Sequence, residues 1–302
     1  MNYAYTSSRV RALENNLPSP ELLNQLAESN NLSECIGILN SAGFEGLNSD
    51  EIVGKMKESK NRLINELMND RKEIEIIFYQ KTFHNLKAAV KMIYSNSGVN
   101  MFYDDAAVSG EEIVAALKNG NTSSLPGYMA AAAEEAYNSL MRTGDGRLSD
   151  MIIDKACLEA MADFSHKTKY DILKMYADET IAAADIKLLL RAGVNYDLLK
   201  FAVSCRYFSA EALIKAGEEG TAEDLLDSAG FGGVNLSNAD VFCENRISEV
   251  LSREKYNIFT PAPAINFILE YDRLVGAVRY ILICKANGIA KSIISERVKN
   301  YV

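Results

Sequence analysis

His84 and His166 are the only histidines in the 302-residue chain, and its cysteines are Cys35, Cys157, Cys205, Cys243 and Cys284. Histidine exchanges protons near neutral pH, and histidine clustered with cysteine or carboxylate at short spacing holds metals. Neither arrangement is written here. No CxxC pair occurs, the cysteines lie singly in apolar helical segments, and neither histidine has a carboxylate or cysteine partner visible along the chain. The cysteines read as small buried hydrophobes in a reducing compartment, and both histidines as packed or surface residues on helices. Asp145 and Asp150 in "RTGDGRLSD" lack the alternating oxygen ligands of a calcium loop and read as a turn. With no GxGxxG, GxxxxGK[ST], HExxH or GxSxG, no catalytic residue, metal or cofactor is expected.

The chemistry that is patterned is electrostatic. "NLKAAVK" at 85–91 and "DIKLLLR" at 185–191 lie one hundred positions apart, so Lys87 matches Lys187 and Lys91 matches Arg191. In each pair the cations are four residues apart and share a helix face. "AVRYILICK" at 277–285 repeats the pattern with Arg279, although Ala277 replaces Asn85 and Asp185. Two roles stay open for these cations: contact with an acidic or carbonyl-rich partner, or solvated faces and internal ion pairs.

These residues must be positioned by helices. Pro18, Pro20, Pro126, Pro261 and Pro263 are the only prolines, and none falls between 127 and 260. Between Ser49 and Ile74, the residues Ile52, Met56, Leu63, Leu67 and Ile74 fall at helical spacing and make one apolar stripe. Ser19 with Pro20, Ser49 before "DEIV", and Ser109 with Glu112 mark helix starts. The fold expected is all-α. Its 41 acidic and 32 basic residues give a net charge of -9 with no segregated basic block, which argues against nucleic acid or anionic lipid. No signal peptide and no run of 18 apolar residues is seen, so a cytoplasmic protein without direct transmembrane insertion is expected.

One phrase is written twice: "LNSAGFEGL" at 39–47 and "LDSAGFGGV" at 226–234. Gly43 and Gly230 suit the left-handed position past a helix end, and Phe44 and Phe231 can fold back on the last turn. "SSLPGYMAAAAEEAY" at 123–137, with Pro126, Gly127 and Tyr128, is expected to supply a third, degenerate corner at 124–128. Corner, long helix and basic segment thus recur in order. One continuous protein of three pseudo-repeats is expected, roughly 48–125, 126–230 and 231–302, the last closed by 1–47. If so, residues 10–47 pack against 278–300. A general helical-repeat scaffold binding protein partners is the alternative, but it calls for repeats of about 30–47 residues.

"YAYTSSRVRALENNLPSPELLNQL" at the start, the paired basic heptapeptides, "LSDMIIDKACLEAM", and "ILEYDRLVGAVRYILICKANGIAKSIISERV" at the end resemble the C (or d) subunit of V-type and archaeal A-type rotary ATPases. The family's Lys-x-x-Gly ending is matched by Lys285 and Gly288. The resemblance implies three similar helical modules in a pseudo-threefold, funnel-like arrangement. It also implies a non-catalytic central-stalk rotor subunit, a monomer within a hetero-oligomeric complex on the cytoplasmic face of the membrane. Its partners would be the central shaft subunits and the membrane proteolipid ring, with torque coupling ATP hydrolysis or synthesis to H+ or Na+ transport. Candidate contacts are Lys87, Lys91, Lys187, Arg191, Arg279 and Lys285, and the corner residues Phe44, Leu47, Tyr128, Phe231 and Val234.

Overall fold

Helices form where the sequence writes their ends. A computed structural model describes residues 3–67, 71–96, 98, 101–193 and 195–299, so the termini of the expected closing segments, 1–2 and 300–302, lie outside the described residues. Among the described residues the regular structure is helical throughout, with no strand. The first four helices are α1 (Tyr3–Glu14), α2 (Pro20–Glu28), α3 (Leu32–Ser41) and α4 (Ser49–Leu67). Then follow α5 (Ile76–Ser95), α6 (Gly110–Lys118), α7 (Gly127–Thr143), α8 (Gly146–Lys167) and α9 (Asp171–Ala192). The last are α10 (Ala210–Glu219), α11 (Ala222–Ser228), α12 (Ala239–Ser252), α13 (Ala262–Ala286) and α14 (Lys291–Val298).

Ser19 accepts the Leu22 N–H, with Pro20 in the first turn, and Ser109 with Glu112 forms the expected capping box. Ser49 is not itself a cap: Asn48 Oδ1 accepts the Glu51 N–H at 2.9 Å, and Ser49 is the first helical residue. Nor is the stripe from Ile52 to Ile74 one helix. It ends at Leu67, a 3-10 turn spans Arg71–Ile74, and Ile64 rather than half-buried Leu63 faces the core.

Both corners stop their helices as the glycines require. Gly43 (φ +90°) and Gly230 (φ +81°) are left-handed, and the N–H groups of Phe44 and Phe231 reach back to Leu39 O (2.9 Å) and Leu226 O (2.8 Å). The expected third corner is corrected. Gly127 opens α7, with Pro126 at the N-cap, while the stop lies upstream at Gly120 (φ +63°), where the Asn121 N–H bonds Ala116 O at 2.9 Å. Proline presets φ for a helix start, which is why "LPGY" begins a helix.

Gly120 exposes a longer repeat. One hundred positions on, Gly220 (φ +72°) ends α10, with Thr221 N–H on Ala216 O at 2.9 Å. Ser109 caps α6 as Ser209 caps α10. Inside the long helices, Asn85 Oδ1 accepts the Tyr103 N–H at 2.7 Å and Asp185 Oδ1 accepts the Val203 N–H at 3.2 Å, each reaching a loop eighteen residues on. Both side chains are fully enclosed, so each latches its loop to the helix.

The chain divides into two compact units, Met1–Arg71 with Ser248–Val302, and Lys72–Ile247. In the second, α6, α7 and α8 pack on α5, and α10 and α11 on α9. In the first, α1, α2, α3 and α4 pack on α13, and α14 on α2. Within 10–47, α2 therefore meets the end of α13 at Lys285 and α14, so this stretch packs against 285–298. Ser-capped α2 packs on α13, Ser-capped α6 on α5 and Ser-capped α10 on α9. Helix α4 packs on α13 at the far end of the chain, although the sequence reading grouped it with the module that follows it.

Candidate partner interface

The paired cations sit on exposed flanks of α5 and α9, and each meets a carboxylate on the helix that returns after the corner. Lys87 reaches Asp154 at 2.5 Å and Lys91 reaches Asp150 at 2.6 Å, both on α8. Lys187 reaches Asp240 on α12 at 2.8 Å, with Arg191 4.0 Å from the same carboxylate. Within the chain these four cations tie two helices together through these carboxylates. Exposed pairs of this kind each stabilise by about 0.2–1 kcal/mol, and salt weakens them. On α13 the polarity reverses, with Lys60 of α4, 2% exposed, on Asp272 at 2.6 Å. Arg279, at the position equivalent to Lys87 and Lys187, is exposed and in no ion pair among the described residues.

Lys285 has an inward role. Its ammonium is buried and donates to Ala27 O and Ser29 O, both at 2.6 Å. These carbonyls belong to the end of α2, where a helix has no partner for its last carbonyls, so Lys285 fastens the N-terminal segment to α13. Three residues on, Gly288 (φ +67°) ends α13, with the Ile289 N–H on Cys284 O at 3.0 Å. The Lys-x-x-Gly element is a bolt followed by a helix stop.

The corner aromatics divide. Phe231 is 1% exposed, with Tyr207 and Phe208 against its ring at centroid distances of 5.1 and 5.4 Å. The Arg246 guanidinium lies 4.0 Å over that ring and donates to Gly230 O and to buried Glu179. Val234 is buried as well. Phe231 and Val234 therefore wedge the corner from inside and present no surface to a partner. Tyr128 is half-buried, stacks on Tyr79 at 4.5 Å and donates its hydroxyl to Glu75; burial, then Glu75, holds its phenol far above the ordinary range. Phe44 is half-buried and lines an open groove of about 590 Å³, and Leu47, which does not line it, is 88% exposed.

The reactive side chains stay dispersed. His84 sits edge-on to Tyr103 with Nε2 3.3 Å from Met101 O, and His166 is exposed in the last turn of α8. Asp145 caps α8 by accepting the Arg147 and Leu148 N–H groups, while Asp150 is spent on Lys91. All five cysteines are free, four of them buried, and burial raises the Cys157 thiol to about 12. Asp185 is unlike its counterpart Asn85. Its Oδ2 has no hydrogen-bond partner, and burial raises its carboxyl to about 7 against the opposing Val203 N–H. Sequence reasoning missed Asp150, Asp154 and Asp240 as partners of the basic pairs, and Arg246 as the cover of Phe231. The hundred-residue spacing of Ser109/Ser209 and Gly120/Gly220 was the available signal for the full repeat.

Among the described residues no helix is long and apolar enough to cross a membrane. No curated protein matches the chain. A family model described as ATP synthase (C/AC39) subunit matches residues 6–297, nearly its whole length. The chain belongs to that family, the C/AC39 subunits of V/A-type ATP synthases.

Proposed function

We propose that the chain is a non-catalytic rotor subunit of a V/A-type ATPase, seated on the cytoplasmic side between the central shaft and the membrane proteolipid ring. It carries torque that couples ATP hydrolysis or synthesis to H+ or Na+ movement. Family membership across residues 6–297 is the observation that carries this reading.

The packing supplies a physical rationale. Each of three sets contains a long helix, a Ser-capped helix and a returning helix: 76–167, 171–252, and 262–299 with 20–67. We take these as the modules, phased one corner later than the sequence suggested, and their pseudo-threefold, funnel-like arrangement as part of the proposal. Buried latches at Asn85 and Asp185 and the Lys285 bolt give each set internal stiffness, which a torque-bearing part needs. Lys87, Lys91 and Lys187 are each engaged by a carboxylate and so offer a partner little, whereas Arg191 only shares Asp240 with Lys187; Arg191, Arg279 and the Phe44–Leu47 corner remain the contact candidates.

Affinity purification of the tagged chain from gently solubilised membranes, with mass spectrometry of the intact complex, tests the reading. Recovery with shaft and proteolipid subunits after a salt wash is the expected result. A lone chain, with those subunits expressed, contradicts it.

A further inference from the structure

The molecule contains a worked example of how its repeated corner is closed. At the second corner Phe231 carries a guanidinium on its face, and the same Arg246 donates to Gly230 O at 3.0 Å and to Glu179 at 2.9 Å. Three features fix that arginine: an aromatic face, the carbonyl of the helix-stop glycine, and a carboxylate. The first corner offers the same three groups with nothing seated on them. Phe44 and Gly43 line the open groove, and so do Glu45 and Glu58, neither of which forms an ion pair among the described residues. Tyr271 of α13 lines it too and continues the aromatic floor, 6.0 Å from Phe267.

The cations already in this groove do not fill the seat. Lys55 is held by Glu51 at 2.8 Å. Arg62 lies near enough to Tyr271 to act on its phenol, and no described cation lies over Phe44. An incoming cation therefore meets a π-face with two exposed carboxylates in the same groove, Glu45 and Glu58, which feel the charge of Lys55 but form no ion pair with it. A planar guanidinium satisfies ring, carbonyl and carboxylate together, as Arg246 does, whereas an ammonium lacks the flat face to stack.

We propose that the groove at the first corner is a docking site for an arginine side chain presented by a partner protein, seated on Phe44 beside Gly43 O and between the Glu45 and Glu58 carboxylates. The proposal rests on the rotor reading only for the identity of the partner. Leu47, three residues on from Phe44 and 88% exposed, gives the segment carrying that arginine an apolar footing.

The test uses the full chain with 13C-labelled phenylalanine and three probes: the N-acetyl amides of arginine, lysine and tyrosine. Phe44→Leu assigns the Phe44 resonance among the eleven phenylalanines. The arginine probe is expected to shift that resonance saturably, with lysine about threefold or more weaker. The exposed double variant Glu45→Gln/Glu58→Gln, which leaves the corner's packing alone, is expected to weaken arginine about 2- to 5-fold. No Phe44 shift, equal binding of lysine, or tighter binding of the tyrosine probe, which would make the groove a seat for an aromatic plug, each overturns the proposal. A photo-crosslinker at position 44 in the assembled complex then names the partner. Attachment beside an arginine of a rotary-ATPase subunit supports both readings. A complete complex without that crosslink overturns the docking site and leaves the rotor reading standing. Failure to find any rotary subunit removes the rotor reading while the probe titration still decides the groove.

Discussion

The corners at 39–47 and 226–234 share wording and backbone but not environment. In both, a left-handed glycine stops the helix and a phenylalanine N–H closes the last turn, at 2.9 and 2.8 Å. One ring is sealed under Arg246 and against Tyr207 and Phe208, while the other borders an open groove. Val234 is buried, yet Leu47 at the matching position is 88% exposed. A repeated phrase fixes local geometry because capping is settled within a few residues. Whether the corner is filled depends on side chains far along the chain: Glu179 and Arg246 close one over, while Phe267 and Tyr271 only line the groove at the other. The open corner is the one where the proposed arginine seat lies.

Truncation should separate the two corners most sharply. Phe231→Ala removes a ring enclosed on every side and is expected to cost about 3–4 kcal/mol in urea unfolding, against roughly 1 kcal/mol for Phe44→Ala. Equal losses would erase the contrast. Next in size, Arg246→Met keeps the packing over Phe231 but leaves the buried Glu179 carboxylate without its cation, held only by the Tyr207 hydroxyl. A loss of about 2–3 kcal/mol is expected, relieved when Glu179→Gln is added.

The filled half carries one unfilled valence. Asn85 makes three hydrogen bonds, to Tyr103 N–H, Tyr103 O and Val108 O, whereas Asp185 at the matching place makes one and leaves Oδ2 orphaned. A carboxyl raised to about 7 binds its proton more tightly in the folded chain than in the unfolded one. Stability from this group is therefore present at low pH and lost as pH rises from about 4 through about 7. Asp185→Asn should flatten that fall and stabilise the chain by about 1–2 kcal/mol at pH 8, read as denaturation midpoints across pH. An unchanged pH profile would show that Asp185 is already satisfied. Smallest of all, Leu47→Ser should leave the isolated chain within about 0.5 kcal/mol of the parent in thermal unfolding, since that side chain touches little.

How far the sequence carried the structure follows the range of each interaction. Helices, the Ser19 and Ser109 caps and the stops at Gly43 and Gly230 were legible, because each is decided within one turn. The Gly120 stop was not, because proline and glycine at 126–127 look like a corner and act as a start. The latches at Asn85 and Asp185 escaped because their partners are backbone groups, which have no letter in a sequence. The basic pairs were found, but their role was not, since Asp150, Asp154 and Asp240 lie on helices that only the fold brings near. For the same reason the cover over Phe231 is invisible in sequence: Arg246 and Tyr207 reach its ring only in the fold.

The contrast between the corners is tested most directly by hydrogen exchange of the chain alone and in its assembled rotary complex. Amides of 43–52 should gain protection on assembly while those of 230–242 change little. Equal gains at both corners, or a gain confined to the second, would contradict the account.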